Sequence, residues 1–209
     1  MNKKGKLVGY TALVTGLSNP LGFEIAKFFA TEGCRLHMAD YYEQPLKDCL
    51  RKFTELYKVD AEIHQIDLSE AINISVLALE CQEANIIINT FKDPKQGDIS
   101  QLELDDWKSS FNLTLFPAIN LTRELLDNLY EQERGIIINL GGAISGVANE
   151  NLCTISVNAA LQAFSNSLDS RTRAVGIRVL SFLREANTCI EENASSLKRL
   201  ILEKLSSSS

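Results

Sequence analysis

Apolar residues fall into two alternating kinds of segment along the chain. Short runs rich in Ile, Val and Leu occur at Tyr10–Val14, Cys34–Ala39, Ala61–Ile66, Ala84–Asn89, Gly135–Leu140 and Ile177–Phe182. Their near-continuous hydrophobicity suits strands covered on both faces. Between them, apolar positions recur at helical spacing. Leu21, Ile25, Phe28 and Phe29 share one face, and Gly33 follows as a C-cap. Leu46, Cys49, Leu50, Phe53 and Tyr57 repeat that pattern, as do Trp107, Phe111, Leu115, Ile119, Thr122 and Leu126. A last helix carries Leu197, Leu200, Ile201 and Leu205, and Lys92 to Leu104 reads as a polar loop. Such alternation predicts right-handed βαβ crossovers and an α/β fold. The expected architecture is a doubly wound parallel sheet of about six strands with helices on both faces. No linker or repeat divides the chain, which predicts one domain over residues 1–205, with 206–209 as a disordered serine tail.

Composition narrows the function classes. The chain has 209 residues, net charge −6 and a pI near 5.1. An acidic surface repels phosphate backbones, so no nucleic-acid partner is expected. No apolar run approaches the ~20 residues of a bilayer span, so no membrane partner is expected either. The basic start before Leu7–Leu17 has no small-residue cleavage site and reads as a tail leading into a strand. Cys34, Cys49, Cys81, Cys153 and Cys189 are scattered, no Cys-x-x-Cys occurs, and the only histidines are His37 and His64. That pattern predicts no metal site and a reducing, cytoplasmic location.

The segment with most chemical content is Thr15-Gly16-Leu17-Ser18-Asn19-Pro20-Leu21-Gly22, between the first strand and the first helix. A glycine-rich turn there lets backbone N–H groups and a helix N-terminus meet a pyrophosphate. Asp40 closes the second strand eighteen residues past Gly22. An acid in that place accepts hydrogen bonds from the ribose hydroxyls of NAD and repels the 2′-phosphate of NADP. The glycines alone would equally permit a tight turn with no ligand. Loop, context and Asp40 together favour a dinucleotide site, or descent from one.

On these residues the chain resembles the short-chain dehydrogenase/reductase (SDR) family, with a Rossmann-type fold. Thr15, Gly16 and Gly22 match its Thr-Gly-x-x-x-Gly-x-Gly fingerprint, and Pro20 replaces the middle glycine. Proline suits the first turn of a helix capped by Ser18 or Asn19, but removes an N–H. The resemblance implies NAD contacts from Gly16, Ser18, Leu21, Gly22, Asp40, Asp67, Leu68 and Asn89. Asp67 would contact adenine, or else cap the following helix. Asn89 matches one position of the family's Asn-Asn-Ala-Gly, where Phe91 and Lys92 add bulk. Asn112 resembles the asparagine that holds a relay water. Gly135–Leu140, Asn158-Ala159-Ala160-Leu161 with Phe164 and Leu168, and Val175–Val179 extend the resemblance over almost the whole chain.

The family's chemistry needs a tyrosine acid whose pKa, ordinarily ~10, is lowered by a lysine one helical turn on. A serine holds the substrate oxygen. By the resemblance, the serine position is Gly142, the tyrosine position Thr154 and the lysine position Asn158. No tyrosine follows Tyr130, and no lysine lies between Lys108 and Lys198. Ser145 and Ser156 have no neighbouring activator in sequence. After the sixth strand the family has a Pro-Gly turn, a lid and a seventh strand; here Leu183-Arg184-Glu185-Ala186-Asn187 leads to one helix. The leading expectation is an SDR-like NAD(H)-binding protein without catalysis, acting as a sensor, regulator or scaffold. The alternative is an NAD-dependent oxidoreductase with an atypical proton relay. A third reading is a scaffold that binds no nucleotide. By the resemblance, helices over Trp107–Tyr130 and Thr154–Ala174 would pack a homodimer or heteromer.

Overall fold

A computed structural model of the chain describes residues 5–90, 94–143, 151–184 and 188–206. Strand and helix alternate from the start: β1 (Thr11–Thr15), α1 (Pro20–Thr31), β2 (Arg35–Asp40), α2 (Glu43–Tyr57), β3 (Ala61–Gln65), α3 (Ala71–Glu80) and β4 (Ile86–Asn89). The second half runs α4 (Leu104–Ser110), α5 (Phe116–Gln132), β5 (Gly135–Gly141), α6 (Leu152–Thr172), β6 (Ile177–Leu183) and α7 (Ile190–Ser206). The six strands form one sheet in the order β3-β2-β1-β4-β5-β6, and each neighbouring pair is parallel. This is the expected doubly wound, Rossmann-type sheet, with the reversal of strand order between β1 and β4.

The apolar runs are strands because side chains of alternating residues are buried on opposite faces. Ala12, Val14, Ile86, Ile88, Ile136 and Ile138 join a core with α1, α2 and α7 residues such as Phe29, Phe53 and Leu197. Leu13, Ile87, Ile137 and Val179 point the other way, onto Leu77 of α3 and Leu121, Leu125 and Leu129 of α5. Helix α1 starts at Pro20, with Asn19 accepting the Leu21 N–H. It ends as the sequence predicts: Gly33 N–H bonds Ala30 O and Cys34 N–H bonds Phe29 O, a Schellman closure.

The apolar repeat from Trp107 onward departs from expectation. It is helical throughout but not α throughout: a π turn at Phe111–Leu115 joins α4 to α5, and the Phe116 N–H reaches back to Phe111 O. Pro117 has no N–H for the α-helical ladder, and the wider turn absorbs the break. Helix α4 begins at Leu104 with a reciprocal cap between Glu103 and Asp106, so the polar loop is a residue shorter than expected. Helix α7 runs through Ser206, the first residue of the expected 206–209 tail, and 207–209 lie outside the described residues. Among the described residues, no helix is long and apolar enough to cross a membrane.

Candidate functional site

The C-terminal ends of β1, β2 and β4 carry the predicted nucleotide residues. Gly16 has φ +69°, and a Cβ there would lie 2.2 Å from Thr90 O. The Gly16 N–H bonds Ala39 O at 2.8 Å, tying the turn to β2. A Cβ on Gly22 would sit 2.5 Å from Gly16 O. The glycines therefore hold helix, turn and strand in close contact, and that packing requires them with or without a ligand.

The same turn uses its own donors. Ser18 N–H bonds Asp40 Oδ2 at 2.7 Å, Asn19 N–H bonds Gly16 O at 3.0 Å, and Leu21 N–H bonds Asn19 Oδ1 at 3.0 Å. Pro20 has none. The positions from Ser18 to Leu21, where a pyrophosphate would seek donors, thus hold no uncommitted N–H. The Leu21 side chain is fully buried. Asp40 is buried too, and its other oxygen accepts the Tyr42 N–H at 2.9 Å. Each carboxylate oxygen keeps a second lone pair, so Asp40 clamps the loop and retains capacity for ribose hydroxyls.

Beside Asp40, an open pocket of about 320 Å³ is lined by Tyr41, Tyr42, Glu43, Gln65, Ile66 and Asp67. Its walls, at the ends of β2 and β3, combine two tyrosines and Ile66 with the polar Glu43, Gln65 and Asp67. Asp67 Oδ1 accepts both the N–H and the hydroxyl of Ser69, at 2.9 and 2.7 Å. These bonds close a turn before α3, whose N-cap is Glu70, so Asp67 does not cap that helix. Leu68 is half-buried against the α3–α5 core. At this edge Asp40 keeps acceptor capacity, whereas the N–H groups of the turn are held by internal hydrogen bonds.

At the other side of the switch point, Asn89 and Asn139 are register partners on β4 and β5. Asn89 Nδ2 donates to Asn139 Oδ1 at 2.8 Å, and Asn139 Nδ2 donates to Ser165 Oγ at 3.0 Å. Among the described residues, buried Asn89 Oδ1 has no partner. Of these three residues the sequence singles out only Asn89; Asn139 and Ser165 join it through hydrogen bonds. The shared position at the ends of adjacent strands was the available signal.

The positions expected to carry catalysis are closed on each other. Gly142 N–H donates to Asn158 Oδ1 at 3.0 Å, and Asn158 Nδ2 donates to Gly142 O at 2.9 Å. Thr154 and Asn158 are both buried, one helical turn apart on α6. Asn112 lies exposed on the π turn, and Ser156 is half-buried on α6. Phe91, Lys92, Ser145 and Glu185–Asn187 fall outside the described residues. Burial pushes the thiols of Cys34 and Cys49 up to about 12 and about 11, which disqualifies both as nucleophiles near neutrality.

Comparison with known proteins gives a consistent picture. Residues 10–183 match the short chain dehydrogenase family. Dehydrogenase/reductase SDR family member 6 of Rattus norvegicus is 25% identical over 176 residues, covering 83% of this chain and 69% of that one. The very-long-chain 3-oxoacyl-CoA reductase of Laccaria bicolor is 23% identical over 194 residues, 86% of this chain but only 55% of that protein. The bulky-bulky ketone specific alcohol dehydrogenase from Comamonas testosteroni superposes with a TM-score of 0.85 at 21% identity, covering 96% of this chain and 84% of that one.

Proposed function

The chain belongs to the short-chain dehydrogenase/reductase family, and from that premise we propose that it binds NAD(H) without the family's tyrosine–lysine chemistry, as a regulatory or sensor protein. One observation carries this reading: Asn158, at the lysine position, spends both halves of its amide on the Gly142 backbone. It has no charge to lower a neighbour's pKa, and Thr154 has far too weak an acid for proton transfer at pH 7. NAD(H), when bound, supplies a hydride donor or acceptor. The residues of this chain then do the holding. The pocket by Tyr41 and Tyr42 takes the base, Asp40 accepts from the ribose, and Ser18 and Leu21 must release internal partners for the pyrophosphate.

A second reading is an NAD-dependent oxidoreductase acting on a carbonyl or alcohol, with its proton from water or the substrate itself. The family match and the reductases and dehydrogenases among the relatives favour it. We also propose self-association through α4–α5 and α6, where Leu113 and Phe116 are exposed apolar side chains.

Titrating NADH and NADPH into the protein, with nucleotide fluorescence and thermal stability as readouts, tests these readings. A ligand at ~100 times its Kd adds about 2.7 kcal/mol. The expected result is binding of NADH over NADPH, no NADH consumption across a panel of carbonyl compounds, and a mass above the monomer at micromolar concentration. NADH oxidation that depends on a carbonyl compound would replace the first reading with the second. Binding of neither nucleotide would overturn both.

A further inference from the structure

On the sheet face opposite α1, three donors meet that the sequence keeps far apart. His37 of β2, His64 of β3 and Cys81 at the C-terminus of α3 place one ligand atom each within 4.8 Å of one another. We propose that these residues form a binding site for a borderline transition-metal dication, zinc in the first instance.

The outer nitrogens of the two rings set the argument. His37 Nε2 lies 2.9 Å from Glu83 Oε1, and His64 Nδ1 lies 2.8 Å from Glu80 Oε2. A carboxylate only accepts, so both outer nitrogens carry protons. In neutral rings the inner nitrogens then hold lone pairs, and they face each other: His37 Nδ1 to His64 Nε2 is 2.9 Å. Two lone pairs at that distance repel unless a positive centre lies between them. Cys81 Sγ, 3.7 Å from His64 Nε2, adds a third donor on the same side. A histidine bound to metal through one nitrogen and to a carboxylate through the other is the usual support for a zinc ligand.

The distances suit the ion. Tetrahedral zinc, with Zn–N near 2.05 Å and Zn–S near 2.3 Å, sets nitrogens about 3.3 Å apart and nitrogen and sulfur about 3.6 Å apart. The two rings need separate by a few tenths of an ångström, and Cys81 Sγ, within 4.8 Å of the His37 atom, must come to about 3.6 Å from it. Cys81 and His37 are buried, and His64, on the edge strand β3 with its side chain 8% exposed, is the most exposed of the three. Glu80, Glu83 and Glu62 surround the cluster, with Arg35 paired to Glu62, Glu83 and Asp60. Cys81 binds as thiolate and releases its proton to solvent.

The site is separate from the dinucleotide loop, so its test is independent of cofactor binding. Chelator-treated full-length protein is titrated with zinc against a chromophoric competitor, and with cobalt(II) followed by absorbance. Cys189, the exposed thiol, is controlled for with Cys189→Ser. The expected result is one zinc per chain in wild type and in Cys189→Ser. Cys81→Ser and His64→Gln weaken binding, and cobalt gives a thiolate charge-transfer band that Cys81→Ser abolishes. Glu80→Gln, at a half-exposed carboxylate that leaves the core intact, weakens zinc by roughly 10-fold. No zinc binding by wild type, or binding that Cys81→Ser and Glu80→Gln leave unchanged, overturns the proposal. A proton shared between the rings would then account for the contact.

Discussion

Replacing Asn158 with alanine removes both hydrogen bonds that join its side chain to the Gly142 backbone. Gly142 is buried, so its N–H and C=O lose partners at 3.0 and 2.9 Å where water has little access. An unsatisfied buried polar group costs about 1–3 kcal/mol, and the truncated side chain adds a small cavity. The sum is about 3–5 kcal/mol, a large share of the ~5–15 kcal/mol that holds a domain folded. For a chain of this size each kcal/mol moves Tm by ~2–4 °C, so a drop near 10 °C is expected. Asn158→Lys should lose less of the backbone pairing, because an ammonium can still donate to Gly142 O. It cannot accept the Gly142 N–H, and its charge is poorly hydrated there. Urea unfolding followed by circular dichroism measures both. A loss below ~1 kcal/mol for Asn158→Ala would refute the reasoning, since it would mean that water replaces the amide and the position is not closed.

Two further outcomes follow from local geometry. Gly16→Ala should cost about 2–4 kcal/mol by the same assay, because its Cβ meets Thr90 O at 2.2 Å with φ at +69°. Gly9→Ala, at φ +90° with nothing within 4 Å, should cost only the ~1–2 kcal/mol of left-handed backbone; equal losses would show that the Thr90 contact is not tight. Asp169 sets part of the acid limit: burial raises its pKa, but the Arg178 guanidinium, the Val179 N–H and the Arg173 charge outweigh that and hold it below the usual range. Its contribution is therefore full above the unfolded value near ~3.9 and is lost as pH falls through the lower folded value. Asp169→Asn should flatten the fall in stability below about pH 4, and an unchanged pH slope would refute the assignment.

The sheet was legible because strands buried on both faces leave unbroken apolar runs. All the expected strands are present, with ends shifted by at most two residues. Helices were legible where one face is polar, as in α2, where Leu46, Cys49 and Phe53 are buried between exposed residues. Helix α3 reads Ala-Ile-Asn-Ile-Ser-Val-Leu-Ala-Leu-Glu and leaves Ile72 and Leu79 largely exposed, so it has little apolar periodicity to find. The break before α5 was hidden because the apolar repeat runs straight through it. Only Pro117 marks it, through an N–H it does not have. The cluster of His37, His64 and Cys81 was invisible for a topological reason. A metal motif read from spacing assumes ligands on one turn or knuckle, whereas here parallel pairing places His64 opposite Ala39, two residues from His37 on the neighbouring strand.

On the proposed reading, Gly142 and Asn158 stand at the family's serine and lysine positions and pair with each other. A serine at residue 142 needs its hydroxyl free for substrate, and a lysine at residue 158 needs its ammonium free for a tyrosine. An asparagine amide is both donor and acceptor, and the Gly142 backbone supplies one of each. The pair is complete only with Asn158 present, and it keeps the end of β5 tied to α6. A tyrosine placed at residue 154 alone would have no cation beside it, and a lysine placed at residue 158 alone would keep only the bond to Gly142 O. On that reading the family's chemistry requires changes at Gly142, Thr154 and Asn158 together, and the change at Asn158 is the one that disturbs a buried hydrogen-bonded pair.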